Sequence, residues 1–310
     1  MYTEDPSHLY SETQRIEILR QQMVAQLKIK LPATHTEEND ALGVRIFRSD
    51  GPTAKTPGVY EPIVCFLLQG EKQVSVGSQM IRYQPMQYLL VPVTLPASGR
   101  VIKASSDQPY LGMAFNIDIK TLSDLVIELG DKLPVGADQA RGINIGDMDY
   151  SMVSAFYRLL SLMDEPKDIP IMLPLLKREI LYRLLMSEVG SQLRDFALLD
   201  SQTHRIVKVI DQLRQRFNEP LRIKELAELV HMSESALYQG FKAVTSMTPL
   251  QFQKQLRLNE ARRIMLYDGI EASTASYKVG YESPSQFSRE YSRLFGAPPK
   301  TDISRFRQSL

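Results

Sequence analysis

The 310-residue chain has one cysteine, Cys65, and four histidines: His8, His35, His204 and His231. A lone cysteine excludes internal disulfides and cysteine-built metal centres, and nothing ties the chain to an oxidising compartment. No histidine falls in the strand-like segments read below, so no histidine-bound metal is expected there. No Ser/His/Asp arrangement, Gly-rich phosphate loop or His-Glu pair on a helix can be assembled either. The expectation is a non-enzyme that needs no cofactor. Long apolar runs are also missing. Met1 to Lys30 lacks the continuous apolar segment of a signal peptide, and no run approaches bilayer length. A cytoplasmic protein without membrane insertion is expected.

Net charge is scarce as well, at +1 over the whole chain, but it is unevenly placed. Residues 201–310 carry 17 Lys plus Arg against 11 Asp plus Glu, whereas the remainder carries 20 against 25. A basic C-terminal block behind an acidic N-terminal block is expected where one domain meets phosphate and the other does not. The length suits about two domains. A hydrophobic content of 43% and a charged content of 24% are ordinary for a globular protein.

Leu9 to Ile29 places Ile16, Leu19, Met23 and Leu27 at helical spacing, which predicts an amphipathic helix. From Gly43 to Ile119 the texture changes to short strands: Val44–Phe47, Ile63–Gln69, Gln73–Val76, Gln79–Tyr83, Tyr88–Val93, Gly99–Lys103 and Tyr110–Ile117. Gly77-Ser78 is a two-residue hairpin signal between two of them. Ile63 to Gln69 is apolar on both faces, as in the wall of a small β-barrel or sandwich. An apolar cavity there suits binding a small organic molecule, with Tyr60, Glu61, Gln69, Arg82 and Tyr88 as expected polar lining. Cys65 reads as a small buried hydrophobe. Helices follow at Leu122–Leu129, Tyr150–Met163 and Ile169–Val189. The stripe Leu173, Leu176, Ile180, Leu184 of the last is expected to pack on the barrel or on a second subunit. Leu193 to Ser201 reads as a linker.

Beyond it, Ser201–Phe217 and Arg222–Val230 read as helices. After a His231-Met232 turn, Ser233 caps a helix that buries Leu237 and Phe241 and turns Ser235, Tyr238, Gln239 and Lys242 outward. A long helix, Pro249–Leu266, carries Arg257, Arg262 and Arg263. Then the pattern repeats. Glu271–Val279 is helical, Gly280 to Ser283 forms a turn, and Pro284 suits the first position of a new helix. Phe287, Tyr291 and Leu294 or Phe295 face inward there, leaving Ser285, Gln286, Ser288, Arg289 and Ser292 outward. Short side chains let such a helix enter a major groove, and Gln and Arg can pair with adenine or guanine edges. One such unit could equally be an amphipathic hairpin of any α-domain.

Two helix-turn-helix units joined by one helix are more specific. The run Val279-Gly280-Tyr281-Glu282-Ser283-Pro284-Ser285-Gln286-Phe287-Ser288-Arg289, through Leu294-Phe295-Gly296-Ala297-Pro298-Pro299, resembles the signature of the AraC/XylS family of bacterial transcription regulators. Val59-Tyr60-Glu61-Pro62, Leu68-Gln69-Gly70 and Pro109-Tyr110-Leu111 resemble the cupin-like N-terminal domain of one branch of that family. Gln239 departs from the arginine of many members, and Asp302 from the usual aromatic after the proline pair. The Asp302 change is expected to alter how the last helix docks.

The resemblance implies an α+β protein: a cupin-like effector domain over residues 1–199, and two helix-turn-helix units on one DNA face over 200–310. It implies base reading by Ser235, Tyr238, Gln239, Ser285, Gln286 and Arg289. Phosphate contacts fall to Lys242, Arg257, Ser283 and Arg293. The implied partners are double-stranded promoter DNA, RNA polymerase, an unidentified small-molecule effector and a second copy of the chain. Two other readings compete: a metal-free cupin-type enzyme with a DNA-binding tail, and an architectural DNA-binding protein without an effector.

Overall fold

The computed structural model describes residues 10–39, 42–134, 140–198 and 201–308. His8 and Leu9 of the sequence reading lie outside them. The first helix, α1 (Glu12–Lys30), starts at a capping box in which the Ser11 hydroxyl and the Gln14 side chain each take the other residue's backbone N–H. It buries Met23 and Leu27.

Among the described residues ten strands form two antiparallel sheets. They are β1 (His35–Asn39), β2 (Val44–Ser49), β3 (Thr56–Tyr60), β4 (Ile63–Gln69), β5 (Glu71–Val76), β6 (Gln79–Tyr83), β7 (Gln87–Val91), β8 (Leu95–Lys103), β9 (Tyr110–Asn116) and β10 (Asn144–Asp147). The larger sheet has the order β1-β2-β9-β4-β7-β10 and the smaller β3-β8-β5-β6. β4 shows why its sequence is apolar on both faces. Val64, Phe66 and Leu68 pack under the helices, whereas Ile63, Cys65 and Leu67 face the other sheet. Phe66 meets Phe156 at 4.5 Å between ring centroids.

The covering helices are α2 (Ile119–Leu129), α3 (Tyr150–Ser161), α4 (Ile169–Leu185) and α5 (Gly190–Ala197). In α4 the stripe Leu173, Leu176, Ile180, Leu184 goes into this chain's own core. That leaves Ile171, Leu175, Tyr182 and Met186 on the exposed face, so the stripe is not a surface for a second subunit.

Three strands escaped the sequence reading. β1 is polar and mostly exposed at an edge, β3 carries Pro57 and Gly58, and β10 has only four residues. His35 therefore does lie on a strand, an exposed one. Where a linker was expected, α5 buries Leu193 and Phe196.

The helical region comprises α6 (Gln202–Gln215), α7 (Ile223–Leu229), α8 (Glu234–Thr245), α9 (Pro249–Tyr267), α10 (Ala272–Lys278), α11 (Pro284–Phe295) and α12 (Pro299–Gln308). It packs on the sheets through specific contacts. Glu61 after β3 pairs with Arg214 of α6 at 2.7 Å, and the Gly142 N–H donates to the Val244 carbonyl at 2.8 Å. No helix among the described residues is long and apolar enough to cross a membrane.

Candidate nucleic-acid interface

Each helix-turn-helix unit is built by local chemistry that the sequence carries openly. In the first, Val230 caps the end of α7, and His231 takes a left-handed backbone conformation with φ 53°. The Ser233 hydroxyl then accepts the Ala236 N–H to start α8. Leu237, Phe241 and Val244 pin α8 inward, with Phe241 edge-on to Phe252 of α9 at 5.3 Å. The same periodicity leaves Ser235, Tyr238, Gln239 and Lys242 exposed.

The second unit turns at Gly280, whose φ is +87° and whose missing Cβ would lie 2.1 Å from the Asn218 carbonyl oxygen. Only glycine fits both constraints. Ser283 caps α11 by accepting from the Gln286 N–H, and Pro284 occupies the first turn. Phe287 and Tyr291 are buried and stack in series with Tyr281 and Phe295. Ser285, Gln286, Arg289 and Arg293 are exposed. Thus all six expected base-reading residues lie on the outer faces of α8 and α11. Gln286 is not wholly free, because its amide donates to Glu290 at 3.3 Å.

Glu290 lies at the centre of a small network. It accepts from Lys254 Nζ at 2.9 Å and from the Tyr281 hydroxyl at 2.8 Å. Burial works against its charge, but the donors from Lys254, Tyr281 and Gln286 outweigh burial and hold its pKa below the ordinary value. The network joins α9, the turn and α11.

Arg257 has a different task from the phosphate contact the resemblance implied. Its Nε donates to the Phe217 carbonyl at 2.6 Å, Nη1 to Gly280 at 2.8 Å and Nη2 to Glu219 at 2.7 Å. All three nitrogens serve carbonyls inside the domain. Arg257 is a staple that ties the loop after α6 to the second turn, and it leaves the phosphate set. Ser283, Lys242 and Arg293 remain on or near the surface.

The five residues expected to line an effector pocket do not converge. Glu61 is exposed, and besides Arg214 it accepts from Thr94 at 2.8 Å, so it belongs to the seam between sheets and helices. The Gln69 amide donates to the Pro109 carbonyl at 2.8 Å beside a β-bulge. Arg82 is exposed. Tyr88 faces the helices on the outer side of the large sheet, with its hydroxyl 2.9 Å from that of Ser187. Only Tyr60 packs against the cluster between the sheets. The polar groups actually in that space include Lys72, Tyr83 and Tyr110. Their signal was present: alternation in β5 places Lys72 on the same face as Val74 and Val76. No cluster of metal-ligating side chains occurs among the described residues.

Residues 41–192 match the model of the AraC-type transcriptional regulator N-terminus, and residues 226–305 match a helix-turn-helix domain. The HTH-type transcriptional regulator CdhR of Pseudomonas aeruginosa is 34% identical over 98 residues, 32% of this chain and 29% of CdhR. The RCS-specific HTH-type transcriptional activator RclR of Escherichia coli is 31% identical over 104 residues, 34% of this chain and 37% of its own. This chain thus spans only about a third of those relatives' length. A single-residue variant of ToxT from Vibrio cholerae, in its apo form, superposes with a TM-score of 0.57 at 10% identity, over 86% of this chain and 98% of that one. ToxT bound to (E)-4-(8-methylnaphthalen-1-yl)but-3-enoic acid does so at 0.54 and 10%, over 84% and 97%. At that identity the likeness concerns the fold. The two matched regions take in strands β2 to β10 and nearly all of both helix-turn-helix units, and the chain belongs to the AraC/XylS family of transcription regulators.

Proposed function

We propose that this regulator reads a bipartite operator with α8 and α11 while its N-terminal domain, residues 1–199, holds a small molecule that sets the arrangement of the DNA-binding part, residues 200–310. The observation that carries the DNA reading is the shared design of the two units. Each buries an apolar stripe with an aromatic in it and presents a polar outer face with short side chains at its N-terminal end. Ser235, Tyr238 and Gln239 serve one half-site, and Ser285, Gln286 and Arg289 the other. Lys242, Ser283 and Arg293 contact phosphate, supplying affinity without sequence information. Two successive major grooves on one face lie one turn, ~34 Å, apart.

Control by the N-terminal domain needs a physical link, and the seam supplies it through Glu61–Arg214 and Gly142–Val244. A ligand that favours one packing across this seam shifts DNA affinity by that difference in binding energy and no more. RNA polymerase and a second copy of the chain complete the proposed partners.

Arg289→Ala tests the reading. If Arg289 pairs with guanine, the variant loses about 1–3 kcal/mol of operator affinity and tolerates other bases at one position. Unchanged affinity and unchanged preference remove Arg289 from the base-reading set.

A further inference from the structure

The two sheets divide the charge of the N-terminal half unequally. Residues 1–200 carry 20 Lys plus Arg against 25 Asp plus Glu, so 20 − 25 = −5. Yet the run from Lys72 to Ser106, which supplies most of β5 and all of β6, β7 and β8, contains no Asp or Glu while it holds Lys72, Arg82, Arg100 and Lys103. β3 is uncharged. Glu71 is thus the one carboxylate on the four strands of the small sheet, and Lys103 takes it at 3.3 Å. An acidic half of the chain has set cations apart on one sheet.

Strand alternation decides which way they point. Val74 and Val76 of β5, Tyr83 of β6 and Val101 of β8 enter the cluster between the sheets. Gln73, Arg82 and Arg100, next to them in sequence, therefore stand on the outer face. They form one row, because Gln73 is the register partner of both arginines. Gln73 is only 3% exposed, between two arginines that are themselves exposed. Arg100 Nη2 donates to Gln73 Oε1 at 3.1 Å, a neutral partner that leaves the charge in place. With Glu71 already paired, neither arginine has a carboxylate on its own sheet. Two like charges about 10 Å apart across β5 repel at low salt, and an anion laid over the row relieves that.

The same sheet reaches the DNA-binding half. The turn between β5 and β6 brings Gly77 so close to the C-terminal end of α8 that a Cβ on it would lie 2.2 Å from the Ser246 carbonyl oxygen. Gly77 and Ser78 border one hollow with Lys242, Lys254 and Arg293. Lys254 is held by Glu290, whereas Lys242 and Arg293 belong to the phosphate set proposed above. From Ser78 to Arg82 is ~13 Å of strand, and from Ser246 back to Lys242 is one turn of α8, ~6 Å. The arginine row and Lys242 thus lie within roughly 25 Å of each other. Over that length each DNA strand presents a phosphate every ~3.4 Å along the axis.

We infer that the outer face of the small sheet is a second phosphate-binding surface, on which Arg82 and Arg100 hold the backbone of the operator duplex beside the segment read by α8. Guanidinium forks match phosphate oxygens in pairs, so charge and shape both fit. Continuity with Lys242 selects the duplex already bound over any other polyanion. Ser75 and Ser98, register partners one row nearer the turn, put neutral donors on the same face. Such contacts add affinity and fix position without reading bases. They also let a movement of the N-terminal half change DNA affinity directly. This rests on the reading that α8 and α11 bind DNA, and it adds a contact from the other domain.

The test measures affinity against salt for the full chain on a duplex that carries the motif recovered from genomic fragments, with about ten base pairs beyond each half-site. Arg82→Gln/Arg100→Gln should lower the slope of log affinity against log salt by about two, one per lost contact, and leave the preferred motif unchanged. Arg82→Lys/Arg100→Lys should keep the slope near wild type. Lys28→Gln/Lys167→Gln removes two exposed cations from α1 and from the loop before α4, changes net charge equally, and should leave the slope alone. If the double glutamine variant unfolds, as its thermal midpoint would show, Arg82→Gln alone is measured, with an expected fall of about one. A wild-type slope in the folded variant overturns the inference while the DNA reading stands. An equal fall in Lys28→Gln/Lys167→Gln also overturns it, because the effect would then be one of net charge. Wild-type binding without any sequence preference removes the DNA reading and this inference together.

Discussion

The Tyr291 hydroxyl donates to Asp302 Oδ2 at 2.7 Å, and the same oxygen accepts from Arg262 Nε at 2.8 Å. Arg262 Nη2 completes a bidentate pair with Oδ1 at 3.0 Å, and its guanidinium lies 4.7 Å from the Phe295 ring and 5.2 Å from that of Phe306. Three helices, α9, α11 and α12, meet at this group. Where the sequence reading expected altered docking because an aromatic is missing, an ion pair holds the last helix.

Asp302→Ala should therefore destabilise the C-terminal unit by about 3 kcal/mol, because it strands Arg262 and leaves the Tyr291 hydroxyl without an acceptor. Urea unfolding followed by tyrosine fluorescence measures the loss. A change under about 0.5 kcal/mol, the range of ordinary surface substitutions, would show that the docking is carried by the rings alone.

Arg257→Met and Lys242→Ala should separate staple from phosphate contact. Lys242→Ala should leave stability alone and lower the slope of log affinity against log salt by about one. Arg257→Met should lower stability by about 1–3 kcal/mol for its lost carbonyl bonds and leave that slope as it was. A reversed pattern would return Arg257 to the phosphate set.

Gly280→Ala should cost at least about 1 kcal/mol, because it combines an unfavourable φ with a collision against Asn218. A thermal midpoint equal to wild type would mean that the second turn relaxes freely.

Glu290 gives a pH dependence of known sign. A carboxyl whose pKa is lowered on folding adds stability that is fully present above its unfolded value of about 4.3 and lost as the pH falls through the folded value. Acid titration of unfolding should show this loss in the wild type, and Glu290→Gln should flatten that limb while lowering stability near pH 7. Parallel acid limbs in the two proteins would remove Glu290 from the account.

The helical half was legible because each of its signals is local. Ser233 and Ser283 cap as their spacing predicts, Pro284 opens its helix, and Phe287 and Tyr291 define a buried face four residues apart. The work of Arg257 was not legible, since its three acceptors lie at least 23 positions away in sequence. The inner face of the sandwich was hidden for a related reason. An outward residue and one facing the opposite sheet alternate identically along a strand, so Tyr88 looked like lining, and Lys72, just ahead of the strand read from Gln73, was not singled out. Only the pairing of β5 with β6 and β8 separates them. Strands β1 and β3 were lost to their polar and proline-bearing composition.

The most direct measurement titrates the full chain onto a genomic fragment library and sequences what is retained at rising salt. The expected result is a motif with two segments about one helical turn apart, its enrichment surviving salt that removes other fragments. Retention that is blind to sequence and collapses as salt rises would contradict it and leave an architectural DNA-binding protein in its place.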